Sequence, residues 1–216
     1  MDTTQQRAIL DAVARAAKEE GCLVAPVGSV YFLLAGAPRM TTKDVDIVVH
    51  ETGLQPPSLD VLKRIAARLE KFGAASVTPD NAVLQIRASA DAPAEIELIR
   101  GRSDKKGGFF PRDLLVAAAK DAKQEGNVLL YPVEYVLVLK ADAAIDREDR
   151  AKRDTKRAEA HERRANIFRA DVLAGVDAAL RDGALSPAKL AAAIAYLKES
   201  RQARVRALFA AAGVTG

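Results

Sequence analysis

The chain has 216 residues, 49% of them apolar and 29% charged, with 33 Lys and Arg against 29 Asp and Glu, one Cys, two His and no Trp. That balance suits a folded chain of one or two domains and excludes a disordered, charge-dominated one. Cys22 alone cannot close a disulfide, and His50 and His161 are too few beside it for a zinc cage or a His-dependent nucleophile.

Residues 1–100 carry 11 Lys and Arg against 13 Asp and Glu, whereas residues 101–216 carry 22 against 16. The basic surplus therefore belongs to the C-terminal half, where it meets either a polyanion or only water. No charge occurs between Glu20 and Arg39, but Pro26, Gly28, Ser29 and Gly36 break this window, so no membrane span is expected. The first 20 residues lack a basic segment leading into an apolar one, and the expectation is a cytoplasmic protein without a signal peptide.

Ile9, Val13 and Ala16 at helical spacing predict a first helix closing at Gly21, and Cys22 to Val27 reads as a buried strand. A short helix over Val30 to Ala35 follows, then a β-branched strand over Val45 to Val49. Ser58 is placed to cap a helix whose apolar face is Leu62, Ile65, Ala66 and Leu69 and whose end is Gly73. Val83 to Ala88 and Glu95 to Ile99 alternate as strands with one wet face each, and Asn127 to Tyr131 adds another. Pro132 opens a helix carrying Val136, Leu139 and Lys140. From Asp146 onward no strand-like run occurs, and a last helix is expected from Ser186 to about Ala212. The expectation is α/β (α+β): a mixed β-sheet flanked by helices over residues 1–145, then a basic helical region over 146–216.

The stretch from Val27 to Val49 carries the chemistry. Asp44 and Asp46, two apart in a strand, project from one face roughly 7 Å apart and can converge on hard cations. Magnesium suits such a pair, because it takes oxygen ligands and keeps open positions for phosphates. Gly28 lets a ligand approach the backbone, and Ser29 offers a hydroxyl and amide groups to a phosphate. A solvated edge strand is the plainer explanation of the acidic pair alone.

Gly28-Ser29, a short apolar helix to Gly36, Arg39, then Thr42-Lys43-Asp44-Val45-Asp46, resembles the signature of the DNA polymerase β-like nucleotidyltransferase superfamily. Within it the chain is most similar to the minimal nucleotidyltransferases of the AbiEii and related toxin–antitoxin groups. The resemblance implies a third metal-binding carboxylate on a neighbouring strand; Glu97, before Leu98 and Ile99, fits best, with Glu95 as competitor, although Glu replaces the usual Asp. It also implies that Lys140 reaches the triphosphate; the alternative is a lysine snorkelling to water at the edge of an apolar helix.

What the resemblance implies is an NTP-dependent, pyrophosphate-releasing enzyme with two magnesium ions. Asp44, Asp46 and Glu97 are its catalytic and metal-holding residues, and Gly28, Ser29, Arg39, Thr42, Lys43 and Lys140 bind the nucleotide, ATP among the candidates. The acceptor is an RNA end, tRNA included, or a hydroxyl on a partner protein, with an antitoxin or toxin as a possible partner. Arg201, Arg204 and Arg206 at helical spacing favour RNA. Two other readings stand beside it: an inactive module of the same fold that binds nucleotide or partner, and a helical nucleic-acid binder in which the acidic motif is incidental.

Overall fold

The computed structural model describes residues 3–34, 44–78, 82–87, 95–101 and 110–214. In chain order these form α1 (Thr3–Glu19), β1 (Cys22–Pro26), α2 (Gly28–Leu34), β2 (Asp44–Glu51), α3 (Leu59–Ala67), β3 (Ala74–Val77), β4 (Val83–Arg87) and β5 (Glu95–Ile99). There follow α4 (Arg112–Lys120), β6 (Lys123–Glu125), β7 (Val128–Leu130), α5 (Val133–Arg153), α6 (Ala158–Arg181), α7 (Pro187–Ala195) and α8 (Glu199–Ala211). The expected α/β class holds: a seven-stranded mixed sheet in the order β3-β4-β5-β2-β1-β7-β6, flanked by helices and followed by a helical C-terminal region.

The sheet is covered on both faces, and strand alternation decides which residue goes where. Cys22 and Val24 of β1, Val45, Ile47 and Val49 of β2, and Ile96 and Leu98 of β5 face α1 and α3. Leu23 and Ala25, Val48, Ile99 and Leu129 join the opposite core with α4, α5, α7 and α8. Asp44, Asp46, Glu95 and Glu97 fall on this second face by the same alternation. The expected wet face of β5 is therefore half-buried, because α5 and its neighbours lie over it.

Ser58 caps α3 as expected, accepting from the Val61 N–H at 3.2 Å, and Ser186 caps α7 by accepting from Lys189 N–H. The last helix differs from expectation: α7 stops at Ala195 and α8 starts at Glu199. Leu197 between them is buried, and the break lets both helices pack on α5. Residue 145 lies inside α5, so the helical region continues a helix of the sheet layer. Gly175 of α6 allows a close approach of the helices: a Cβ at that position would lie 2.8 Å from both Leu137 and Phe32.

His50 is fully buried, and its Nδ1 lies 3.1 Å from the Leu54 carbonyl. A carbonyl only accepts, so Nδ1 carries the proton and Nε2 accepts from the Tyr131 hydroxyl. Burial pushes the imidazole down to about 4, so the ring is neutral and ties β2 to the segment entering α5.

Candidate functional site

Parallel pairing of β2 with β5 sets Asp44 opposite Glu95 and Asp46 opposite Glu97. Four carboxylates thus occupy two adjacent rungs of one face, a costly arrangement without counter-charge. The two rungs meet that cost differently.

On the first rung Glu95 forms an ion pair with Arg87, its cross-strand neighbour on β4. On the second rung Glu97 accepts a hydrogen bond from Nε2 of Gln85 at 2.8 Å and another from the Asp46 carboxyl. Burial, then the neighbouring Glu97, holds the Asp46 carboxyl well above the ordinary carboxylate range, with Lys140 pulling the other way. Glu97 is raised as well, chiefly by burial, against its bond from Gln85. Two carboxyls that share a proton across one rung are the consequence.

Gly28 completes the enclosure. It lies immediately beyond β1 with φ of +64°, and a methyl group there would collide with Oδ2 of Asp46. Glycine is needed twice over, for the left-handed backbone and for the contact. The Asp46 carbonyl also accepts from the Val27 N–H at 2.9 Å, which locks the start of the turn onto β2.

Lys140 of α5 is 7% exposed, so it does not snorkel to water. Its Nζ lies 2.8 Å from Asp171 of α6 and 4.6 Å from the centre of the Phe168 ring, and its charge acts on Asp46. Asp171 and Phe168 escaped the sequence reading, since they sit in a stretch charged throughout whose facing side only packing reveals.

Of the residues singled out from sequence, Gly28, Asp46, Glu97 and Lys140 come together, with Asp44 one rung away. The α2 backbone starts at Gly28-Ser29, while Arg39, Thr42 and Lys43 lie outside the described residues.

The donor set fits a hard divalent cation in kind, because it is all carboxylate, shares one face, and includes two carboxyls, Asp46 and Glu97, that burial and then neighbouring negative charge hold above the ordinary range. Among the described residues, however, no group of three or more His, Cys, Asp or Glu is gathered closely enough to hold a metal ion. Asp46 and Glu97 meet, and Asp44 stands one rung away on the same face.

The expectation of a basic face on α8 is corrected. Arg201 reaches Asp142 at 2.8 Å and Asp146 at 3.1 Å, and Arg204 reaches Asp149 at 2.7 Å and Glu148 at 2.6 Å. These guanidinium groups neutralise the acidic side of α5 and face inward; Arg206 alone of the three is exposed. Among the described residues no helix is long and apolar enough to cross a membrane.

No protein-family model matches the chain, and no curated protein does. Three solved structures are similar. Terminal uridylyl transferase 4 from Trypanosoma brucei with bound CTP shares 12% identity at a TM-score of 0.35, covering 69% of this chain and 45% of its own. JHP933 from Helicobacter pylori shares 14% at 0.39, covering 98% and 90%, and a tRNA nucleotidyltransferase with primer tRNA and an ATP analogue shares 18% at 0.37, covering 93% and 60%. The chain thus spans under half the length of the uridylyl transferase and 60% of the tRNA enzyme. With each TM-score below 0.5, what this chain does rests on its own residues.

Proposed function

We propose that the chain is a magnesium-dependent nucleotidyltransferase that moves NMP from an NTP to an acceptor hydroxyl. The observation that carries this reading is Asp46, enclosed between Gly28 and Glu97 with Lys140 beside it. A raised, half-buried carboxyl pair against a glycine with positive φ is expensive in folding terms and has no packing purpose. It suits a place where phosphate and cation arrive together.

Asp44, Asp46 and Glu97 would hold two magnesium ions, which supply Lewis acidity to the acceptor oxygen and to the leaving phosphates. Glu97 is better placed than Glu95, because Arg87 occupies Glu95 while Glu97 contacts Asp46 directly. Gly28 and Ser29 leave room and amide groups for the β- and γ-phosphates, and Lys140 adds positive charge on the same side as Asp46. The acceptor oxygen bonds to the α-phosphorus, the bond to the bridging oxygen of pyrophosphate breaks, and the hydroxyl proton passes to the Glu97 carboxylate. Arg39, Thr42 and Lys43 remain assigned to nucleotide binding from the sequence resemblance, as does a toxin–antitoxin setting with a partner protein.

The test is incubation with each α-labelled NTP, magnesium and total RNA or total protein, with Asp44→Ala and Asp46→Ala as controls. Label incorporation that both substitutions abolish is the expected result, and full transfer by either variant overturns the mechanism. A second reading, an inactive nucleotide- or partner-binding module, is favoured by the lack of a three-carboxylate cluster among the described residues. Magnesium-dependent NTP binding in calorimetry, with no pyrophosphate released with any acceptor pool, selects it.

A further inference from the structure

We propose that strand β4 selects which acid of β5 takes the divalent cation, with Gln85 as the positioning residue that presents Glu97 and Arg87 as the residue that withdraws Glu95. The proposal rests on the cation site of the transferase reading and adds to it what chooses the third carboxylate.

Strand geometry by itself does not choose. Glu95 and Glu97 are two apart on β5, share a face, are both half-buried, and stand opposite Asp44 and Asp46 in one parallel ladder. By backbone position alone, a cation at the β2 aspartates is offered either acid.

The difference comes from the other side of β5. β4 runs antiparallel to it and sets Gln85 opposite Glu97 and Arg87 opposite Glu95. Gln85 donates from Nε2 to Oε1 of Glu97 at 2.8 Å, and Arg87 forms an ion pair with Oε1 of Glu95. Beyond β4 the same two rungs reach Ser76 and Ala74 of β3, neither of them charged. From this side Glu97 therefore receives an uncharged amide and Glu95 a full positive charge.

These partners act differently on a carboxylate. An amide N–H fixes one oxygen and the orientation of the group, adds no charge, and leaves the second oxygen to a cation. A guanidinium neutralises the group and repels a further cation brought to it. Arg87 is half exposed, so its pair contributes little to stability, yet its charge still opposes a metal ion at Glu95. Packing does not explain the amide. Val83, two residues before Gln85 on the same face, joins the apolar core, and an apolar side chain at 85 would extend it.

The test uses the full chain and Mn2+, which takes oxygen donors as magnesium does. Binding is read by electron paramagnetic resonance of the free ion and by calorimetry, with and without a non-hydrolysable NTP analogue. In the unaltered chain Glu97→Gln should weaken Mn2+ binding at least about tenfold, and Glu95→Gln should change it less than about twofold. In a chain carrying both Gln85→Arg and Arg87→Gln this dependence should reverse, with Glu95→Gln the damaging change. A general loss of packing does not produce such a reversal. Gln85→Met keeps the side-chain volume and removes the donor; it should weaken Mn2+ binding about tenfold, and it carries the test if the exchanged chain fails to fold. Unchanged Mn2+ affinity in Gln85→Met overturns the proposal, as does equal sensitivity to the two glutamates in the unaltered chain, an unreversed dependence in a folded exchanged chain, or no Mn2+ binding at all. Mn2+ binding that depends on Glu97 and Gln85, with no label moved from any NTP, sinks the transferase reading and leaves this one standing.

Discussion

Two carboxylate clusters lie on opposite sides of α5, and they are built in opposite ways. Asp142, Asp146, Glu148 and Asp149 on the helix are matched by Arg201, Arg204 and Arg150 at 2.6–3.1 Å, and Glu148 also pairs with Arg169. Asp46 and Glu97 on the strands have Gln85, a shared proton, and a lysine already bound to Asp171. What separates a structural cluster from a chemical one is how completely the protein itself supplies the counter-charge. A set left short of positive charge is where a cation or substrate has something to do.

That contrast is broken most sharply at Asp46. Asp46→Asn should lower nucleotide transfer at least about a thousandfold, roughly 4 kcal/mol of barrier, while leaving the unfolding temperature unchanged or higher, because the amide can donate to Glu97 as the protonated carboxyl does, with no proton to bind. Arg201→Ala should do the reverse: about 3 kcal/mol of stability is lost as Asp142, Asp146 and Asp149 lose their shared partner, with transfer retained below the unfolding transition. Denaturant melts and single-turnover assays on the two variants check both arms. Gly28→Ala should fall between, costing about 2 kcal/mol for the left-handed backbone and lowering transfer by displacing Asp46.

A pH series sharpens the comparison further. Burial pushes the Asp142 carboxyl up to about 6 despite Arg201, and Oδ2 of Asp142 is one of the buried side-chain oxygens without a hydrogen-bond partner among the described residues. Asp46 and Glu97 are raised too. A carboxyl raised in the folded state binds more protons there than in the unfolded chain, so stability falls as pH rises from about 4 toward 6 and above, by about 1 kcal/mol per unit for each such group. Denaturant titrations from pH 4 to 7 should show this slope, and Asp46→Asn should make it shallower. Asp177→Asn should be the smallest effect, within about 0.5 kcal/mol, since its pair with Arg181 is exposed on both sides.

Local pattern was enough for most elements. β1, β2, β4, β5 and β7, the Ser58 and Ser186 caps and the apolar faces of α1 and α3 follow period, branching and cap chemistry that neighbouring residues set between themselves. β3 and β6 escaped because Ala74–Val77 and Lys123–Glu125 carry mostly exposed side chains and gain their strand form only by pairing with β4 and β7. The helix Arg112–Lys120 escaped because its Leu and Ala face follows a stretch with no cap signal. At the site, Gly28, Asp44 and Asp46 were visible as an ordered motif within one stretch of chain. Gln85, Asp171 and Phe168 were not, since Gln85 reaches Glu97 from β4, and Asp171 and Phe168 reach Lys140 from α6.

By itself the sequence determined the chemistry on offer: hard oxygen donors on one strand, a glycine ahead of them, and too little His or Cys for soft-metal or triad catalysis. Tertiary structure decided which charges remain to be used. Net charge adds residues without regard to position, whereas Coulomb interaction falls with distance and grows with burial. Arg201 and Arg204 of α8 are therefore taken up by α5, whereas Lys152, Arg153, Lys156 and Arg157 at the turn between α5 and α6 stay exposed.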